Sequence, residues 1–191
     1  MNAYEILTGV GTLYVAPAGE AKPGLDSTPA GNWTLLGETD DGVTITVGQE
    51  IEELRTDQRT GPVKAVRTEE SVVIETNLAQ ATLENLAQAL GGMTVTDNPP
   101  GTGQIGTREM GLYRGVAVRE FALLFRGNSP YGDYPAQYYL PRGYFGGEVE
   151  MEYTKDGKVL IPCQFVALED LSAASESARF GVYEAQDAAA L

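Results

Sequence analysis

The sequence predicts an α+β fold that is mostly β: a sandwich or barrel of antiparallel strands flanked by one helix. Two observations carry this. Short runs of alternating apolar residues are separated by turns, in a chain with 23 Gly and 10 Pro among 191 residues. Only one segment, LAQATLENLAQAL at 78–90, has helical periodicity. Hydrophobic residues at 42% and charged residues at 21% are ordinary for a globular domain, long enough to need no disulfide or metal.

GVGTLYV at 9–15 is the first strand, with Leu13 and Val15 on one face. The stretch 17–32 is rich in Pro, Gly and Ala and reads as a surface loop. WTLL at 33–36 is a short strand, and GETDDG turns into VTITV, with Val43, Ile45 and Val47 inward. Alternation resumes only at Val72 and Ile74. Between them, residues 49–70 hold five apolar side chains: Ile51, Leu54, Val63, Ala65 and Val66. The charges there are of mixed sign. Arg55, Arg59, Lys64 and Arg67 are interleaved with Glu50, Glu52, Glu53, Asp57, Glu69 and Glu70. A long hairpin leaving the body, or a mobile loop, fits this pattern. An unstructured loop of such length is uncommon unless functional or disordered, and mixed charge suits a mixed-charge partner.

The helix presents Leu83, Leu86, Ala87 and Leu90 at i, i+3, i+4 and i+7, so Leu83, Leu86 and Leu90 should pack on the sheet. Thr76 or Asn77 can cap its start, and Gly91-Gly92 ends it. Residues 92–115 are turn-rich. AVREFALLF at 117–125 is apolar on both faces, the mark of a buried central strand. Residues 126–147 carry five Tyr, three Pro and five Gly and read as an aromatic surface loop. EVEMEYTKDGKVLIPCQFV at 148–166 reads as a hairpin. A three-residue loop at 155–157 pairs Val149 with Cys163 and Met151 with Ile161, keeping one apolar face. Glu148, Glu150 and Glu152 then line the opposite face, a self-repelling row. RFGVYE at 179–184 adds a last strand, and 185–191 a flexible tail. The chain is thus a single domain over 1–184 with a projecting loop at 48–70.

Composition excludes several function classes. The net charge is −14, which opposes counterion-release binding to nucleic acid and attraction to anionic membranes. The chain has no histidine. That removes Ser–His and Cys–His pairs, His-ligated zinc and the commonest general base. The single cysteine, Cys163, forms no intrachain disulfide and reads as a small buried hydrophobe. No run of 18 apolar residues suggests a membrane helix, and MNAYEILTGVG lacks the pattern of a signal peptide. Carboxylates two apart on a strand sit roughly 7 Å from one another, too far for a tight metal cage. GVG at 9–11 and GTGQIG at 101–106 lack the strand-then-helix context of a phosphate loop. Asp40-Asp41-Gly42 lacks the spacing of a calcium loop. No enzyme activity, cofactor or metal is expected.

Several segments, in order, resemble the major tail tube protein of long-tailed, siphovirus-type bacteriophages: GTLYVAP, WTLLGETDDGVTITV with Glu50 behind it, TGPVKAVRT, NLAQATLENLA, QYYLPR, and IPCQFVALED followed by RFG. The resemblance implies a phage tail tube fold and a virion protein assembled in the host cytoplasm. It implies six subunits per ring with sheets joined into a continuous barrel, rings stacked into a hollow tube, and DNA passing through without specific binding. The partners it implies are further copies of the chain and tape-measure, tail-terminator and tail-tip proteins, with no membrane anchor. It assigns the reach to the next ring to the 48–70 loop, through Glu50, Glu52, Glu53, Arg55, Asp57, Arg59, Lys64 and Arg67. Because barrel strands alternate inside and outside, Glu148, Glu150 and Glu152 are the candidate lumen acids. A capsid decoration or tail-terminator β-domain is the alternative. A third reading uses Tyr131, Tyr134, Tyr138 and Tyr139 as sugar-stacking platforms.

Overall fold

The computed structural model describes residues 5–189. Ten strands and one α-helix follow in the order β1 (Thr12–Pro17), β2 (Thr34–Leu35), β3 (Thr39–Leu54), β4 (Lys64–Leu78), α1 (Leu83–Ala89), β5 (Val95–Asn98), β6 (Thr107–Met110), β7 (Phe121–Asn128), β8 (Pro135–Gly146), β9 (Ile161–Ala167) and β10 (Val182–Ala185). The fold is mostly β with one helix, as the sequence pattern predicts. Eight strands form one antiparallel sheet in the order β2-β1-β7-β8-β9-β4-β3, with β10 also on β8; β5 and β6 form a separate hairpin. The sheet ends at β2 and β3 and is not closed into a barrel.

One face of this sheet curls around the main core. Leu13 and Val15 of β1, Leu123 of β7, Leu140 and Phe145 of β8, Ile161, Cys163 and Phe165 of β9, and Ile74 and Leu78 of β4 all belong to it. Phe145 sits edge-on to both Phe121 and Phe165, at centroid distances of 5.5 and 5.3 Å, a preferred aromatic geometry. The opposite face holds a smaller cluster of Ala16, Trp33, Ala122 and Leu124. This explains the doubly apolar sequence of β7: Ala122 and Leu124 serve one face and Leu123 the other. Its strand begins at Phe121, later than the expected 117.

The 17–32 segment covers the smaller cluster and is tied down by polar groups. Tyr139 donates to the Glu20 carbonyl at 2.6 Å and the Trp33 indole to that of Ala21 at 3.1 Å. Gln137, fully buried, donates to the Pro23 carbonyl at 2.8 Å and accepts from Arg126 at 3.2 Å. A buried amide is tolerated only when so satisfied.

Three expectations are corrected. The aromatic "loop" at 126–147 is largely β8, a central strand. Its Pro141 falls where β7 and β8 slip register, between Leu123↔Leu140 and Phe121↔Gly143. A bulge is a place where a sheet tolerates proline. The 148–166 hairpin does not form. β9 pairs with Val73–Leu78 of β4 along one edge and with Gly143–Gly146 of β8 along residues 164–167 of the other. The chain leaves the sheet at Gly147, where φ is 83°, and residues 148–160 do not join it. Val149 and Met151 still pack on the core, which accounts for the alternation. The helix starts later than 78, because Leu78 belongs to β4, opposite Ile161, and is fully buried. Its N-cap is Thr82, whose hydroxyl accepts from the Asn85 N–H at 3.2 Å, in place of Thr76 or Asn77. Gly91 and Gly92 end the helix with φ of 96° and 75°.

Smaller departures follow the same logic. Residues 92–115 contain the β5–β6 hairpin. Asp40-Asp41-Gly42 is a bulge within β3 where a turn was expected, and Asp41 takes φ 61°. β10 runs to Ala185, and the Gln186 N–H bonds to the Pro135 carbonyl at 3.1 Å, so the expected tail is held at its start. Residues 190–191 of that tail lie outside the described residues.

Candidate assembly surfaces

The 48–70 stretch is a β-hairpin arm and not an irregular loop. β3 and β4 stay paired as far as Leu54↔Lys64, and only residues 55–63 form the tip. The pairing assigns the faces. Ile45↔Ile74, Val47↔Val72 and Gln49↔Glu70 share the face that continues from the core. Ile74 is buried and Val72 half-buried, but Val47 is 76% exposed. Apolar burial therefore stops where the arm leaves the body.

A bulge then changes the alternation. Glu50 pairs with Glu69 but Ile51 with Arg67, leaving Thr68 unpaired. Counted by twos along β4, Arg67 belongs with Glu69. The extra residue moves it to the other face, where its guanidinium donates to Gln49 at 2.8 Å and to Glu70 at 2.5 Å. Ile51 and Arg67 thus share one face with Glu53 and Ala65, while Glu50, Glu69, Glu52, Val66, Leu54 and Lys64 share the other. Glu50 directly opposite Glu69 is a like-charge pair, unfavourable by roughly 0.2–1 kcal/mol. Among the described residues neither is in an ion pair, nor are Glu52, Asp57, Arg59 and Lys64; Arg55 pairs with Glu53 at 3.0 Å.

Ile51, Leu54, Val63 and Val66 are all exposed, so both faces of the arm carry uncovered apolar groups. At its base, Ile45, Val47, Val72 and Arg67 line one wall of an open cleft of about 490 Å³, with Tyr138, Leu140, Val182 and Tyr183 opposite. The cleft exists because β8 switches partners, from β10 at 136–139 to β9 at 143–146. Among the described residues the outer edge of β3 is unpaired along all 16 positions, whereas β2, at the other end of the sheet, is two residues long.

Glu148, Glu150 and Glu152 are exposed, on a segment without strand pairing. On the helix, Leu86 packs on the main core and Leu83 and Leu90 are half-buried, while Ala87 and Ala89 are the fully buried positions. The tyrosines form no common platform. Tyr138 stacks on Tyr183 at 4.3 Å, Tyr139 lies on the opposite face with its hydroxyl occupied, and Tyr131 is exposed. Cys163 is buried, which pushes its thiol up to about 12. Arg142, placed by the β8 bulge, donates to both oxygens of Glu120 at 2.6 and 2.8 Å. These bonds hold that carboxyl below its usual range. The pair braces the start of β7 and touches no cleft residue.

Among the described residues no group of acids and cysteine is placed to hold a metal ion, and no helix is long and apolar enough to cross a membrane. Sequence reasoning had the last strand but missed β8, the other part of this wall of the cleft, because it read 126–147 as loop. The one signal available was the alternation of Ala136, Tyr138 and Leu140.

A family model for phage tail tube proteins matches residues 1–185. No curated protein matches the chain. The chain belongs to the phage tail tube protein family, and is a structural protein of the virion tail that self-assembles into a tube and associates with other tail proteins.

Proposed function

We propose that this tail tube protein forms rings of six subunits that stack into a hollow conduit for DNA. The β3–β4 arm joins one ring to the next. The observation that carries the reading is the arm itself: a paired hairpin with apolar groups uncovered on both faces, on which Glu50, Glu52, Asp57, Arg59, Lys64 and Glu69 are in no ion pair among the described residues. A monomer gains nothing by exposing such a surface. A neighbouring subunit would bury Ile51, Leu54, Val63 and Val66 and meet Glu50, Glu52, Glu53, Arg55, Asp57, Arg59, Lys64 and Arg67. The long free edge of β3, a liability in a lone domain, becomes the lateral joint in a ring whose sheets run on from copy to copy. A net charge of −14 lets DNA slide through, because no counterions are released by contact. Glu148, Glu150 and Glu152 are the proposed lumen acids. Tape-measure, tail-terminator and tail-tip proteins are the proposed further partners, and assembly occurs in the host cytoplasm without catalysis.

Negative-stain electron microscopy tests this. The full chain is compared with a variant in which 49–70 is replaced by a short Gly-Ser turn. Hollow tubes from the full chain, and rings or single subunits from the variant, are expected. Tubes from both would overturn the arm's role, and single subunits from both would overturn unaided tube formation.

A further inference from the structure

Resting on the tube reading, the geometry points to a second, lateral interface element: residues 112–119 of one subunit lie along the free edge of β3 in the next copy of the chain. Residues 112–119, LYRGVAVR, connect β6 to β7 in an open, irregular path. None of their backbone groups bonds to another backbone group among the described residues. Leu112, Tyr113, Val116 and Val118 are 77%, 79%, 95% and 68% exposed. Single exposed apolar residues are normal on any surface. Four of them within seven residues of unpaired backbone are a docking surface.

Charge identifies the occupant. The segment contains Arg114 and Arg119 and no acid, in a chain of net charge −14. Arg119 is held by the Gly92 carbonyl, whereas Arg114 reaches only the Gly147 carbonyl at 3.4 Å and is in no ion pair among the described residues. The free edge of β3 carries Asp41, Glu50 and Glu52, none of them in an ion pair among the described residues; Asp40 and Glu53 are taken by Lys158 and Arg55. On the face shared by Glu50, Glu69 and Glu52, Lys64, opposite Leu54, is one cation against three acids. Basic, apolar and unpaired therefore meets acidic and unpaired. The contact is heterologous, since one copy offers the segment and the next offers the edge, and such contacts repeat around a ring until it closes. β2, two residues long, pairs over too short a stretch to serve as the joint, whereas 112–119 can lie along half of the edge. Strand addition also satisfies backbone groups on both sides, as in other edge-recognition complexes.

The test uses the full chain. Val116→Cys and Glu52→Cys are introduced singly and together, and a flexible bis-maleimide is added that tolerates a register slip of two residues, about 7 Å. Cys163 is buried and stays silent. A ladder of multimers from the double variant, with at most dimers from each single one, is the expected result. Separately, Arg114→Glu should raise the protein concentration needed for assembly about tenfold, and mixing it with Glu52→Arg subunits should restore assembly. Circular dichroism melts confirm that each variant folds. If the double variant gives no ladder while the unaltered chain forms tubes, the lateral joint is wrong and the tube reading stands. If the unaltered chain forms no tubes and no ladder appears, both fall.

Discussion

Deleting Thr68 separates the aim of the arm from its composition. Thr68 is the unpaired residue of the bulge, so its removal leaves Glu50↔Glu69 and Ile51↔Arg67 as they are. Arg67 keeps Gln49 and Glu70 on its face. What changes is the bend and extra twist that a bulge gives its strand. The four pairs beyond it span roughly 14 Å before the tip. A change in the arm's direction of about 20–25°, the size of one strand-to-strand step, moves a tip roughly 14 Å away by about 6 Å. Apolar contacts reach only about 4 Å, so the tip would miss its seat on the next ring. The intrinsic stability should move little, by less than about 1 kcal/mol, because the arm is exposed and its ion pairs are worth no more than that. Urea unfolding reads the first quantity, and electron microscopy with sedimentation reads the second. The expected outcome is a wild-type unfolding midpoint with loss of stacked tubes. Tubes of unchanged axial repeat would refute the claim that the bulge aims the arm. Loss of folding would refute the claim that arm and body are separable.

Three further outcomes follow from the body of the protein. Phe165→Ala removes a ring that is 1% exposed and edge-on to Phe145; it should cost about 3–5 kcal/mol and lower Tm by roughly 6–20 °C in calorimetry, and a drop below about 2 °C would contradict the core assignment. Cys163, pushed up to about 12, should have a thiolate fraction on the order of 10⁻⁴ at pH 8, so a thiol reagent should react only after denaturation; rapid native labelling would count against its burial. Glu120, Asp170 and Glu184 are held below their usual pKa, chiefly by hydrogen bonds from Arg142, Ser172 and Lys22 respectively. The unfolded chain binds these protons more readily, so their contribution is present above about pH 4.3 and lost as pH falls through the lowered values. Urea midpoints should fall from pH 5 to pH 3, with a shallower fall in Glu120→Gln; parallel profiles would remove Glu120 from the account.

What was legible in the sequence was what local pattern controls. β1, the body of β3 and β4, the single helix and the two-faced β7 all show their burial in their own alternation. β8 was hidden because Pro135, Pro141, Gly143 and Gly146 depress strand propensity, and only the partner β7 shows that Pro141 sits at a bulge. The 148–166 hairpin failed for the converse reason. Its local pattern was good, but β9 takes its long pairing from β4, a strand distant in sequence, and its short one from β8, while 148–160 leaves the sheet after Gly147. At the arm, the charge mixture and the scarcity of core anchors were readable. The face carrying Arg67 was not, since a one-residue bulge has no signature in TEE. The apolar character of 112–118 was visible as letters, but its exposure depends on strands it fails to join.

The order of the strands sets a sequence of events during synthesis. β3 and β4 are joined by nine residues and can pair as soon as residue 78 is available, whereas β4 must wait for β9, ending at Ala167, to gain its other neighbour. At about 5–20 residues per second, that wait is roughly 5–18 s. β10, which closes the edge of β8 and binds Lys22 through Glu184, comes later still. The joining hairpin is therefore made before the body that carries it. Many chains translated side by side from one message would display sticky arms while their cores were unfinished. The topology predicts that the acidic charge has a use before any tube exists, keeping half-made neighbours apart until β9 arrives.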